Sequence, residues 1–241
     1  MMRFDERAHC YAQHAHVQRD MADWLAEWLD PSVSSHCHAL EYGAGEGMFT
    51  RRAAPNFNHL TAVDVAPRMV EQGRQAAPEA EWQVGDAWTG FGMDASVDYV
   101  VSSSMMQWCP DPVEILRLWR SKLPKGARML HGFYVEPTLK ELRALQGEVA
   151  APLTWFSADH WRAAFEDAGW QVERFEAEDR CIVYKNALDL MRSLHGVGAV
   201  RQSQMGSASL RRLIREYDRR HVAVCGGVYA NWSFCRVQAI S

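Results

Sequence analysis

The sequence predicts an α/β fold built on a doubly wound, mostly parallel sheet, and three observations carry that reading. Short apolar runs alternate with helical stripes from residue 38 to about 135; the loop EYGAGEG, with glycines at 43, 45 and 47, follows the first run; and acids close the next two, at Asp64 and Asp86. Strand, glycine loop and helix in that order open a nucleotide-binding βαβ unit.

Ahead of that unit, Val17, Met21, Trp24, Leu25 and Trp28 fall at helical spacing and form one apolar stripe, closed by Asp30-Pro31-Ser32. CHALEYG then reads as a buried strand, and a helix is expected from about Met48 into the APNFN turn. HLTAVDVA is a strand, PRMVEQGRQAA a helix with its proline in the first turn, and AEWQVGDA a strand ending in an acid. SVDYVVSSS and ARMLHGFYV are strands on either side of the helix DPVEILRLWRSKL, where Asp111 suits the N-cap and Pro112 the first helical position. In SADHWRAAFEDAGW, Ser157 caps a helix whose apolar face is Trp161, Ala164, Phe165 and Ala168, and Gly169 stops it. A strand QVERFEAED, two helices (NALDLMRSLHG and SASLRRLIREYDRRH) and a last strand near NWSFCRVQAI complete one domain over residues 1–241. The two helices form an insertion at 180–230, a lid over the carboxyl edge of the sheet, where open α/β folds bind ligands.

Composition narrows the class. The chain has 241 residues, 48% of them hydrophobic, and a formal net charge of −4, which fits one large soluble domain. No run of about 18 uncharged apolar residues occurs and MMRFDERAHC has no apolar leader core, so a cytoplasmic protein with no membrane partner is expected. Six single cysteines, at 10, 37, 109, 181, 225 and 235, read as reduced and structural. His36-Cys37-His38 is not expected to hold a metal, because adjacent residues of a strand point to opposite faces. Charge is unevenly spread: Arg180 to His221 carries +6 and the remainder −10, a pattern that suits an anionic partner or a solvated helix face. Nucleic acid is disfavoured, since the chain is net acidic and the basic segment lacks interleaved aromatics.

The loop has its own chemistry. Its glycines are spaced G-x-G-x-G, unlike the dinucleotide fingerprint, and Glu41 stands two places before the first, where a pyrophosphate would be repelled and a cation attracted. Asp64 lies 21 residues after Gly43, about where an acid accepts hydrogen bonds from ribose hydroxyls, and Asp86 is placed to reach an adenine amino group. Together they describe a nucleoside site with a cationic end.

The set Glu41, Gly43, Gly45, Gly47, Asp64 and Asp86, in this strand order, resembles the class I S-adenosylmethionine-dependent methyltransferases over residues 38 to 135. The resemblance implies a seven-stranded sheet, S-adenosyl-L-methionine as cofactor, and a binding set that adds Ala44, Val65, Ala87 and Ser102. Four further features resemble the malonyl-acyl carrier protein O-methyltransferases of biotin synthesis: F4-DERAHC-Y11-AQHA followed by VQ, MMQWC at 105 to 109, LMRSLHGVGA at 190 to 199, and the basic helical insertion. That implies methyl transfer to the free carboxylate of a malonyl thioester, a nucleophile already ionised at neutral pH that needs no general base. Catalysis then rests on clamps: Tyr11 over the cofactor, Gln107 and Trp108 beside it, and Arg192, with Arg143 second, on the substrate carboxylate. Arg211, Arg212, Arg215, Arg219 and Arg220 are the expected docking residues for malonyl-loaded acyl carrier protein. The chain departs from the pattern at Ser103, where asparagine is common, at His195, where lysine is usual, and at Trp155, so a free small-molecule carboxylate stays open as acceptor. A non-catalytic module that binds cofactor or carrier also stays open.

Overall fold

A computed structural model describes residues 15–146, 155–196 and 206–241. Helix α1 (His16–Ala26) leads through a short turn, α2 (Pro31–Ser34), into β1 (His38–Tyr42). Then come α3 (Thr50–Ala53), β2 (His59–Asp64), α4 (Pro67–Ala76), β3 (Glu81–Val84), β4 (Tyr99–Ser103), α5 (Pro112–Lys122) and β5 (Arg128–Val135). The carboxyl-terminal half adds α6 (Lys140–Gln146), α7 (Ala158–Asp167), β6 (Gln171–Tyr184), α8 (Ala187–Gly196), α9 (Ser207–Arg220) and β7 (Val228–Ile240). The seven strands form one sheet in the order β3-β2-β1-β4-β5-β7-β6. All pairs up to β5 are parallel, and β7 runs antiparallel to both neighbours. Strand order therefore reverses between β1 and β4, which opens a crevice at their carboxyl ends.

Local sequence signals account for most boundaries. Asp111 accepts the Glu114 amide at 3.0 Å and Ser157 that of His160 at 3.2 Å, so both helices start where a side chain satisfies an orphan N–H. Alternation along the strands sends Leu40, Val100, Met129 and Phe133 into a core with Trp119, Trp161 and Phe165 of α5 and α7. Their neighbours Ala39, Ala62, Val101 and Leu130 face α1, α3 and α4 on the other side. Fully burying side chains of this size contributes roughly 1.5–3 kcal/mol each.

Three boundaries differ from expectation. The helix after the glycine loop is a single turn that tightens into a 3-10 turn at Ala54–Asn56, because Pro55 cannot donate to a continuing helix. Asp86 lies beyond β3 and caps a 3-10 turn, accepting the Trp88 amide at 2.9 Å. Strand β6 continues past Asp179 to Tyr184, paired with β7 throughout, so the inserted helices begin at Ala187.

Two anchors fix the parts that flank the crevice. Arg236 is 5% exposed; its guanidinium lies 4.1 Å from the Trp24 ring and 4.3 Å from the Trp28 ring, and pairs with Glu176 at 2.7 Å and Glu27 at 3.1 Å. Arg174 covers the Trp28 ring at 3.9 Å and Arg180 the Trp24 ring at 5.2 Å, so cations and aromatics alternate where α1 meets the β6–β7 pair. On the lid side, Asp218 of α9 accepts the Ala187 amide of α8 at 2.7 Å, and buried Glu141 of α6 accepts the Asn231 amide at 3.2 Å. The inserted helices are thereby joined to each other, and α6 to β7.

Candidate active site

The crevice at the β1–β4 switch holds a cleft, partly open to solvent, lined by Glu41, Gly43, Ala44, Gly45 and Glu46 from β1 and its loop. Gln18 of α1, Met48 and Phe49 after the loop, and Ser103 and Ser104 at the end of β4 complete the wall.

Glycine is required in this loop for different reasons at different positions. Gly43, Gly45 and Gly47 have φ of +66°, +58° and +85°, a region that side chains with a Cβ rarely occupy. A Cβ on Gly43 would lie 2.6 Å from Met105 Cγ, whereas one on Gly45 would meet no atom within 4 Å. Gly43 thus makes room for the core, and Gly45 leaves open space beside the cleft. Gly47 packs on Trp82, 3.3 Å from where its Cβ would be, and does not line the cleft.

Glu41 is 1% exposed and its Oε2 makes no well-formed hydrogen bond among the described residues; the buried Thr50 hydroxyl makes none either, though it lies near enough to Glu41 to act on its carboxyl. Burial pushes the Glu41 carboxyl up to about 8, against a smaller downward pull from Thr50 and with a further upward push from Asp64. An orphaned buried carboxylate at a cleft wall is a costly arrangement unless a cation or donor completes it. S-adenosylmethionine carries an ammonium group and a sulfonium, so the residues present fit it.

The acids at the next two strand ends are partly committed to backbone. Asp64 Oδ2 accepts the Gly45 amide at 2.9 Å and Oδ1 the Ala66 amide at 2.8 Å, which braces the glycine loop against β2. Beside it, Val65 is 64% exposed at the carboxyl edge, an apolar face open to a flat ring. Ala87 is buried.

Other expected site residues fall as follows. Ser102 is 0% exposed and its hydroxyl meets His131 Nδ1 at 2.7 Å, on the face away from the cleft; Ser103 and Ser104 line the cleft in its place. Gln107 is buried and donates from Nε2 to the Ser104 carbonyl at 2.6 Å, while its Oε1 has no partner among the described residues. Trp108 is half-buried next to it. Arg143 of α6 pairs with Glu136 at 3.5 Å, and Arg192 lies on the exposed face of α8; neither lines the cleft. Tyr11 and the segment 197–199 lie outside the described residues. On α9, Glu216 pairs with Arg219 and Arg220, each at 3.0 Å, while Arg211, Arg212 and Arg215 are exposed. Among the described residues no cluster of His, Cys, Asp or Glu could hold a metal, and no helix is long and apolar enough to cross a membrane.

Sequence reasoning assigned no site role to Gln18, Ser103 or Ser104: Gln18 entered only as the end of the amino-terminal family motif, Ser103 only as a departure from the family pattern, and Ser104 adopts φ +59°, a conformation that serine does not advertise.

Comparison with known proteins agrees with this geometry. A methyltransferase-domain family profile matches residues 40–130. Malonyl-acyl-carrier protein O-methyltransferase from Halorhodospira halophila is 32% identical over 205 residues, covering 81% of this chain and 69% of that protein. The chain belongs to the malonyl-acyl-carrier protein O-methyltransferase family. A member of this family from Brevibacillus brevis is 27% identical over 263 residues, covering 99% of this chain and 94% of that protein. In Teredinibacter turnerae the related protein is a biotin biosynthesis bifunctional protein, BioHC, 28% identical over 239 residues; the match covers 89% of this chain and 42% of that longer protein. Among solved structures, YcgJ from a Bacillus shares the fold with a TM-score of 0.68, 16% identity, and coverage of 92% of this chain and 98% of that one. The class I methyltransferase fold and S-adenosylmethionine as cofactor follow for this family member.

Proposed function

We propose that this protein transfers a methyl group from S-adenosylmethionine to the free carboxylate of a malonyl thioester carried on acyl carrier protein, forming its methyl ester in biotin synthesis. The observation that carries the reading is the orphaned carboxylate of Glu41 in a chain whose relatives, matched over nearly all of its length, are malonyl-acyl-carrier protein O-methyltransferases. Bound in the cleft, the cofactor supplies an electrophilic methyl on a positively charged sulfur. The chain's own residues bind and orient. Glu41 takes the ammonium end, Gly45 admits the backbone-close approach, and Asp64, at the end of β2, is the candidate for the ribose hydroxyls. A carboxylate acceptor is ionised at neutral pH, so no residue has to remove a proton; positioning two charged partners in a water-poor site supplies the rate.

The carrier docks, in this reading, on α9. Arg211, Arg212 and Arg215 are exposed and make no ion pair among the described residues, and they present a cationic stripe to an acidic helix. Arg192 and Arg143 remain the candidates for the malonyl carboxylate, and Tyr11 for the cofactor's outer face. The test is single-turnover transfer of labelled methyl to malonyl-loaded carrier, to malonyl-coenzyme A and to a carrier without a free carboxylate. Label on the malonyl carrier supports the reading; cofactor binding without transfer to any malonyl thioester overturns it.

A further inference from the structure

We infer that Ser104 is an acceptor-binding residue, its hydroxyl held by Tyr134 so that it donates to the acceptor carboxylate at the β4 wall of the cleft. The inference rests on the carboxyl-methylation reading above and adds a residue to it.

Strand β4 ends at Ser103, and Ser104 then turns into the left-handed region at φ +59°. Glycine suits that backbone and serine does not, so the side chain is retained at a conformational cost. Three bonds hold the turn: the Ser104 amide donates to the Gly132 carbonyl at 2.7 Å, its carbonyl accepts Gln107 Nε2 at 2.6 Å, and its Oγ lies 3.1 Å from Tyr134 Oη. Tyr134 is itself fixed, 3% exposed and in edge contact with Trp232 at 5.1 Å and Phe234 at 5.3 Å. Those aromatics belong to the core shared with α8 and α9.

Ser104 therefore stands at the seam between the cofactor cleft, which it lines with Glu41, and the lid-side core that anchors its partner. The two cleft walls differ in chemistry. The β1 wall offers a carboxylate for a cation, and the β4 wall offers hydroxyl donors for an anion. An anionic acceptor would be repelled by the carboxylate of the β1 wall and served by the hydroxyls of the β4 wall. Either hydroxyl of the Ser104–Tyr134 pair can be the donor; with Tyr134 taken as donor, the serine proton is turned toward the acceptor.

Three variants test this: Ser104→Gly, Ser104→Ala and Tyr134→Phe, each measured for thermal midpoint, S-adenosylhomocysteine affinity, and single-turnover transfer to malonyl-loaded carrier. Ser104→Gly is expected to melt higher than wild type, bind S-adenosylhomocysteine within about twofold, and transfer methyl at least about tenfold more slowly, the usual worth of a hydrogen bond to a charged group. Ser104→Ala should lose the same rate without the gain in melting temperature, and Tyr134→Phe should lose part of it. Transfer within twofold of wild type in both serine variants overturns the inference and leaves the carboxyl-methylation reading standing, as does a rate loss matched by lost S-adenosylhomocysteine affinity. A wild-type enzyme that labels no malonyl carrier overturns both.

Discussion

Replacing Glu41 by glutamine should make the empty protein more stable and a poorer cofactor binder at the same time. Glu41 is fully buried with one oxygen unpartnered, and burial raises its carboxyl from 4.5 to about 8. A raised acid binds its proton more tightly in the folded state than in the unfolded one, so between pH 4.5 and 8 stability falls as pH rises. At pH 7 the shift corresponds to about 3 kcal/mol as an upper limit, at 1.36 kcal/mol per unit. Glutamine carries no charge and avoids that penalty. Thermal unfolding of wild type and Glu41→Gln from pH 5 to 8.5 should show the variant's advantage growing with pH, by up to several degrees for a chain of this size. Calorimetric titration with S-adenosylhomocysteine in two buffers of different ionisation enthalpy should show wild type releasing close to one proton per ligand at pH 7, as the ligand's ammonium draws the carboxylate out. The variant should release none and bind at least tenfold more weakly. A variant less stable than wild type at pH 8, or proton release unchanged by the substitution, would refute the reasoning.

Further outcomes follow from the same geometry. Gly43→Ala places a Cβ 2.6 Å from Met105 Cγ at a φ of +66°, and should cost about 1–3 kcal/mol, read by chemical denaturation, with cofactor affinity falling alongside. Arg211, Arg212 and Arg215 changed together to glutamate should lower kcat/KM for the malonyl carrier and flatten its salt dependence, leaving malonyl-coenzyme A untouched; the same exchange at Arg219 and Arg220, which already face Glu216, should do less. Arg236→Leu leaves the solvated Glu176 and Glu27 without their cation and removes one buried cation from the Trp24 and Trp28 rings, so a loss of about 1–2 kcal/mol is expected, with α1 the first segment cut in limited proteolysis.

Much of the fold was legible because its signals are local. Asp111 and Ser157 cap the helices their spacing marked, and β1, β2, β4 and β5 lie where the apolar runs placed them. The reading slipped where local signals stop short of a boundary. The β-branched and aromatic residues Ile182, Val183 and Tyr184 suit a strand, yet the charged Glu178, Asp179 and Arg180 before them read as its end; the ladder to β7 carries β6 through to Tyr184.

By itself, then, the sequence determined the order of elements, the glycine loop and the acid that makes it suit a cation, because each depends on backbone geometry or charge carried by a few adjacent residues. Tertiary structure decided which side chains share the cleft. Strand parity buries Ser102 against His131, and the left-handed turn at Ser104 brings the next serines to the open side. Gln18 reaches the site only because α1 is seated across β5, where Gly132 leaves room for Met21 and Leu25. Contacts between residues a hundred positions apart are set by packing and charge pairing across elements, and no local pattern records them.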